Sequence, residues 1–471
     1  MFLLETFFLL LAAFIAFLYK GDDLFPLLLS SGIMFTTGLI CYFMGFNANE
    51  YNAGRREGML VVASTWIMLS LFGMLPYYLG GYIPNLADAF FETMSGFTST
   101  GSTILTDIEA LPHGILTWRS LTQWQGGIGI VVFTVALIPI LGGGATQMYD
   151  AETPGIMHER FRPRIAQVAK RLWGVYIVLT IFLIGLLWMG PMNMFDAINH
   201  ALTTISTGGY STKNASIAYW DSVYIEYVVM IFMMIGATNM TLIYFCFNGK
   251  PFKLFGNEEF RWFVYLVLFM TCIVTAWLIY NGFVTGFEEG WRKSSFQVIT
   301  LISSCGFITE DYIQWGPFFW MVALSLMFIG GCAGSTCGGL KMARFIVLSK
   351  NLSNEFKKQT HPRAVLPVRM NGTVVPSQVV HRILAFAFIY MGLIIVSAAL
   401  LMLDGLAFEE GLGAAVSTVC NIGPALGKIG ASGNFSEVSD LTKWCLSFLM
   451  MTGRLEIFTV VTLLLPGFWK Q

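Results

Sequence analysis

Charge is what this sequence has least of. Of 471 residues only 12% are Asp, Glu, Lys or Arg, about half the share of an ordinary soluble domain. That scarcity excludes a water-facing surface over most of the chain. Neither sign is in excess: 27 basic residues against 28 acidic leave a net charge of −1, so the basic footprint of a nucleic-acid-binding protein is missing. Histidine is rare too. His113, His158, His200, His361 and His381 fall in no Ser/His/Asp set and no metal-ligand spacing, and they read as structural. The eight cysteines form no C-x-x-C pair and no Cys/His cluster, which argues against a zinc site. An enzyme is therefore disfavoured. The first apolar run lacks the basic residues of a signal peptide and carries Glu5 instead, so a retained helix is expected.

What is abundant is apolar sequence. Hydrophobic residues make up 56% of the chain and mean hydropathy is +0.68. Apolar runs of about 20 residues, the length a helix needs to cross a bilayer, recur from end to end. Hydropathy places two helices at 2–19 and 24–46, followed by one pattern four times. Outer helices fall at 59–80, 168–190, 260–282 and 380–403. Amphipathic stretches at 85–98, 193–205, 288–303 and 408–419 are too short to span and suit re-entrant half-helices. Return helices fall at 119–141, 222–247, 317–347 and 441–465. The predicted fold is an all-α polytopic membrane protein: two N-terminal helices plus four helix–pore loop–helix repeats around a pseudo-fourfold pore. Its divisions are 1–58, 59–150, 151–250, 251–350 and 351–471, the last including a cytoplasmic loop.

Each half-helix runs into a short glycine segment: Thr98-Ser-Thr-Gly-Ser102, Ile205-Ser-Thr-Gly-Gly209, Ser303-Ser-Cys-Gly-Phe307 and Asn421-Ile-Gly-Pro424. Pairing Gly101, Gly208, Gly306 and Gly423 gives spacings of 107, 98 and 117, an internal duplication. Asp88-Ala89 in the first repeat matches Asp196-Ala197 in the second. Lys and Arg gather after the second helix and after the return helices, as at Arg55 and Arg56, Arg160 to Arg171, Lys250 to Arg261 and Lys341 to Arg382. The positive-inside rule makes those segments cytoplasmic. The glycine loops then lie outside, with both termini in the cytoplasm and ten crossings.

Non-helical backbone at membrane depth is tolerated where it lines protein or a water-filled cavity. Glycine lets such backbone turn its carbonyls toward an axis, and rings of carbonyls replace the hydration shell of K⁺. The pattern therefore implies a pore for a small monovalent cation. The competing reading makes each glycine an ordinary turn or packing residue; four at a regular period on one side weigh against it. Below the loops the third return helix is interrupted by Gly330-Gly-Cys-Ala-Gly-Ser-Thr-Cys-Gly-Gly339. Its glycines Gly330, Gly331, Gly334, Gly338 and Gly339 make a flexible gate, or else a passive kink. Arg454 stands near the centre of the last crossing. A mid-membrane arginine faces a cavity or a partner. On the axis it would repel cations; otherwise it pairs with an acid such as Glu456.

These residues resemble the TrkH/TrkG subunit family of bacterial Trk potassium uptake systems, in the superfamily that includes KtrB and plant HKT. The carriers are Trp118-Arg-Ser-Leu-Thr-Gln-Trp-Gln-Gly-Gly-Ile-Gly129, Ala151-Glu-Thr-Pro-Gly155, Pro163-Arg-Ile165, Ser206-Thr-Gly-Gly-Tyr-Ser211 and Asn421-Ile-Gly-Pro424. The two extra N-terminal helices favour TrkH over the shorter KtrB. The resemblance implies a K⁺ filter of Ser99, Thr100 and Gly101; Ser206, Thr207 and Gly208; Ser304, Cys305 and Gly306; and Asn421, Ile422 and Gly423. It implies that the glycine-rich break is the intramembrane gate and Arg454 the pore arginine. It also implies K⁺ as the transported ion with no organic cofactor on this chain, a homodimer in the bacterial inner membrane, and a cytosolic nucleotide-binding TrkA-type partner. Whether transport is passive or a symport with H⁺ or Na⁺ is left open. Sodium is the competing ion. In plant relatives a serine at the first filter glycine goes with Na⁺, and here Gly101 is retained. The four loops differ from one another, which implies looser selectivity than in a symmetric channel.

Overall fold

The computed structural model describes residues 1–46, 55–141, 165–431, 433–455 and 457–469. The Ala151–Gly155 motif, Pro163, the basic residues Arg160, Arg162 and Arg164, and Glu456 lie outside them. Among the described residues the fold is helical, save for one hairpin in which Arg369–Met370 pairs antiparallel with Thr373–Val374. Its turn is Asn371-Gly372, both with positive φ, the pairing that a two-residue hairpin turn favours.

Six helices are long and apolar enough to cross a membrane. They are the two N-terminal helices, Phe2–Tyr19 and Leu24–Gly45, and the four outer helices within Arg56–Leu79, Ala169–Trp188, Glu258–Tyr280 and Ser377–Leu403. Their outward faces carry Phe7, Phe14, Phe43, Phe182, Phe269 and Phe388, all exposed, as lipid contact requires. The half-helices are Leu86–Phe97, Met194–Ile205, Phe287–Ile302 and Phe408–Cys420, close to the predicted stretches. Side chains cap the first two: Asn85 accepts from the Ala87 N–H and Asn193 from the Asp196 N–H. Each half-helix is buried along most of its length.

The return helices depart from expectation. Only the third was expected to break, yet all four are interrupted. The first, His113–Leu141, has non-helical backbone at Gly129. The second splits into Val223–Gly236 and Met240–Phe247, bent by 107°. The third stops at Ile329 and resumes at Met342. The fourth ends at Arg454 before Ile457–Leu464. Among the described residues six helices are long and apolar enough to span without a break, or seven with the bent pair taken as one span. At the second break the lost helical hydrogen bonds are replaced. Asn239 caps the new helix by accepting from the Thr241 N–H at 2.8 Å. The freed carbonyls of Gly236 and Ala237 are taken by the N–H groups of Thr336 and Cys332.

A buried ion pair ties the first two repeats together. Arg119 Nε lies 2.7 Å from Glu92 Oε1, with both side chains at most 2% exposed. The guanidinium sits 3.5 Å from the Tyr210 ring centre and donates to the Ser211 carbonyl. Glu92 also accepts from Thr103 Oγ1 and the Ile104 N–H. Removing one member of such a pair strands the other without water. Arg119→Met is expected to destabilise the protein by about 3–5 kcal/mol. Thermal unfolding in detergent checks this, and the double change with Glu92→Gln should recover part of the loss.

Candidate functional site

The four loops share one backbone. Thr100, Gly208, Cys305 and Ile422 donate their N–H to Ser95, Thr203, Thr300 and Ser417 at 2.9, 2.9, 3.0 and 3.0 Å. The residue before each, Ser99, Thr207, Ser304 and Asn421, is left-handed with φ of 51°, 52°, 50° and 53°. This is a Schellman ending, usually made with glycine at the left-handed position. The residue after each is a glycine with positive φ: Gly101, Gly209, Gly306 and Gly423.

That pattern moves the second loop by one position. Sequence spacing paired Gly208 with Gly101, but the equivalent residue is Gly209. Gly208 corresponds to Thr100, Thr207 to Ser99, and Ser206 to the helix cap. Two adjacent glycines let spacing alone fall either way. A signal was available: Asp88 and Asp196 stand the same 13 positions ahead of Gly101 and Gly209.

The loops also close on one another. A Cβ on Gly101 would collide with the carbonyl of Gly208, one on Gly209 with that of Cys305, one on Gly306 with that of Ile422, and one on Gly423 with that of Thr100. The contacts run from first loop to second, third, fourth and back to first. Each glycine is thus required twice, for its positive φ and for the neighbour's carbonyl against its α-carbon. All four line one cavity of about 140 Å³, together with Ser102, Ser211, Arg119 and Lys213. At its rim the Asn214 amide donates to Asp107 and holds that carboxyl below its ordinary pKa.

A non-glycine residue in left-handed conformation costs about 1–2 kcal/mol, and here the side chain supplies an anchor in return. Ser99 Oγ donates to the Gln123 carbonyl at 3.2 Å. Thr207 Oγ1 meets Thr336 Oγ1 at 3.1 Å. Ser304 Oγ accepts from the Gly338 N–H at 2.8 Å. Asn421 Nδ2 donates to Thr100 Oγ1 and to the Met450 carbonyl, both at 2.9 Å. Gln123, fully buried, spans the second loop: its amide nitrogen donates to the Gly208 carbonyl at 2.6 Å and its oxygen accepts from Tyr210 N–H. Sequence reasoning missed Gln123 and Thr336. Gln123 stood inside the quoted Trp118–Gly129 motif, a polar residue in an otherwise membrane-length helix.

The glycine-rich segment lies against this ring. Cys337 Sγ donates to the Ser303 carbonyl at 2.7 Å, and Thr336 Oγ1 to that of Ile205 at 3.2 Å. Gly338 packs against the Cys420 carbonyl, and Gly330 against Gly338 and Gly339. Gly334 accepts from the Met240 N–H, and Gly331 from that of Met342. Arg454 donates to the Thr336 carbonyl at 2.7 Å and to the carbonyls of Gly126 and Gly127. His200 is buried between the Asp196 carbonyl and Ser211 Oγ, a structural role.

Membrane-length helices around four mutually closed re-entrant loops define a polytopic membrane transport protein. The TrkH family model, described as a cation transport protein, matches residues 33–467. The chain is 38% identical over 424 residues to the Trk system potassium uptake protein TrkH of Salmonella typhimurium, covering 88% of this chain and 86% of that one. It is 35% identical over 471 residues to TrkH of Vibrio parahaemolyticus, covering 98% and 96%, and 31% identical over 461 residues to TrkG of Escherichia coli, covering 97% and 94%. The crystal structure of the potassium transporter TrkH from V. parahaemolyticus superimposes with a TM-score of 0.89 at 34% identity, over 100% of this chain and 97% of that one. The chain belongs to the TrkH family. It is a transport protein and not an enzyme.

The register makes a direct prediction. Gly208 has ordinary φ and its added Cβ would meet the Gln123 side chain, whereas Gly209 has φ 77° and faces the Cys305 backbone. Gly209→Ala should therefore impair cation flux and K⁺ preference more than Gly208→Ala, measured side by side in liposomes.

Proposed function

We propose that this protein takes up K⁺ across the bacterial inner membrane through the four-loop ring. The observation that carries the reading is the closed cycle of glycine against carbonyl. Four backbone segments of one conformation meet around a shared cavity, the arrangement a carbonyl filter needs. The half-helices end at this ring, and the partial negative charge of helix C-termini favours a cation there. The filter comprises Ser99, Thr100 and Gly101; Thr207, Gly208 and Gly209, with Ser206 as cap; Ser304, Cys305 and Gly306; and Asn421, Ile422 and Gly423. The segment 330–339 is the gate beneath it, and Arg454 the cationic barrier that pins the gate. Both termini are cytoplasmic, the protein works as a homodimer, and a cytosolic nucleotide-binding subunit of TrkA type docks on the basic face around 341–379. Potassium is favoured over sodium because Gly101 is retained at the position where a serine goes with Na⁺ in the plant relatives.

Rubidium uptake into liposomes, with K⁺ or Na⁺ as competitor, tests the filter. Competition by K⁺ and not Na⁺, weakened in Gly101→Ser, is expected. No flux from folded protein supplied with its partner would end this reading. For the gate, Arg454→Ala and deletion of Gly334–Gly338 should each raise rubidium uptake in the absence of the partner. Unchanged uptake in both would leave the filter standing without this gate.

A further inference from the structure

Glu259 is a buried carboxylate that the pore reading does not use. It is the second residue of the third outer helix, Glu258–Tyr280, and only 6% exposed. Its Oε1 accepts the N–H of Ala333 at 2.6 Å and that of Ala343 at 3.1 Å. Ala333 lies inside the glycine-rich segment, and Ala343 in the first turn of the helix that follows it, Met342–Thr360. One carboxylate oxygen thus joins the interior of the interrupted segment to the helix that follows it. Lys341 lies within its electrostatic reach and donates to the Cys337 carbonyl.

The chemistry is reciprocal. A carboxylate out of water is costly unless it is hydrogen-bonded and near a cation. Backbone N–H groups in a non-helical segment need acceptors that the helix no longer supplies. Five glycines make the segment conformationally permissive, so outside contacts set where it rests. Glu259 provides such a contact from a helix that belongs to neither the ring nor the segment. The preceding residue faces the other way. Glu258 pairs with Lys350, accepts from the Asn371 N–H at 3.0 Å, and donates its own N–H to Asn371 Oδ1 at 2.7 Å. Asn371 is at the hairpin turn. Two consecutive carboxylates therefore fasten the pore segment and the hairpin to the same helical turn.

We infer that Glu259 is the positioning residue that holds the glycine-rich segment in its blocking seat, so that loss of its acceptor oxygen releases the segment. This rests on the reading of that segment as a gate. The test uses the full-length purified chain in liposomes without the partner. Glu259→Ala should raise rubidium uptake about tenfold, the factor that losing a hydrogen bond of about 1.4 kcal/mol gives. Glu259→Gln keeps an acceptor oxygen at the same reach and should stay near wild type. Competition by K⁺ over Na⁺ should weaken only as far as loosening the Thr336 and Gly338 anchors of the second and third loops allows, and less than in Gly101→Ser, because Glu259 itself touches no loop of the ring. Cys332 and Cys337, 1% and 2% exposed, should react faster with a hydrophilic thiol reagent in Glu259→Ala, read by mass spectrometry of the labelled peptides.

If Glu259→Ala matches wild type in uptake and labelling while Arg454→Ala raises uptake, the gate stands and this role for Glu259 is wrong. If none of the gate variants raises uptake, the gate reading fails and takes this inference with it. Raised uptake with lost ion discrimination would also overturn it, since the ring itself would then have moved. Should Glu259→Ala not give folded protein, Glu259→Asp keeps the charge, shortens the reach and is judged by the same readouts.

Discussion

Backbone that leaves helical geometry inside an apolar bundle must find every hydrogen-bond partner within the protein. The rest of this structure follows from how four loops meet that demand. Each ends its half-helix with the same pair of turns and then presses a glycine α-carbon against the next loop's carbonyl. The loops therefore cannot be placed one at a time. A shift in any of them opens a gap on one side and a clash on the other. The buried clamp of Glu92, Arg119 and Tyr210 and the amide of Gln123 fix the spacing between the first two.

The interruptions of the return helices answer the same demand one layer below. At the second break the carbonyls of Gly236 and Ala237 receive N–H groups from the glycine-rich segment, and Gly334 returns the favour to Met240. Arg454 closes the arrangement. A guanidinium offers five donors in a planar fork, and here that fork reaches carbonyls at 126, 127 and 336. Residues of the first, third and fourth repeats are thereby joined by one side chain.

Much of this was legible in the sequence. The N-terminal, outer and half-helices fall where hydropathy puts them, because length and polarity decide whether a segment spans or re-enters. The third return helix declares its break through its glycines. Two of the other interruptions were hidden: Ala237-Thr238-Asn239 and Leu455 carry no glycine or proline, and at the former the backbone is held by a tertiary exchange of hydrogen bonds with partners about a hundred residues away. Gly209 was obscured by its neighbour Gly208. Glu259 was hidden differently. As an acid beside Glu258 at the start of a helix it reads as an ordinary first-turn charge, and only the fold brings Ala333 and Ala343 to it.

The anchors of the ring are unequal. Ser99 is held by Gln123, and Asn421 by Thr100 and Met450. Thr207 and Ser304 are held by Thr336 and Gly338, which belong to the interrupted segment itself. Any displacement of that segment strips one support from the second and third loops and none of these from the first and fourth. The ring is in this sense a vice with one fixed jaw and one sprung jaw, and the sprung jaw rests on the glycine-rich segment.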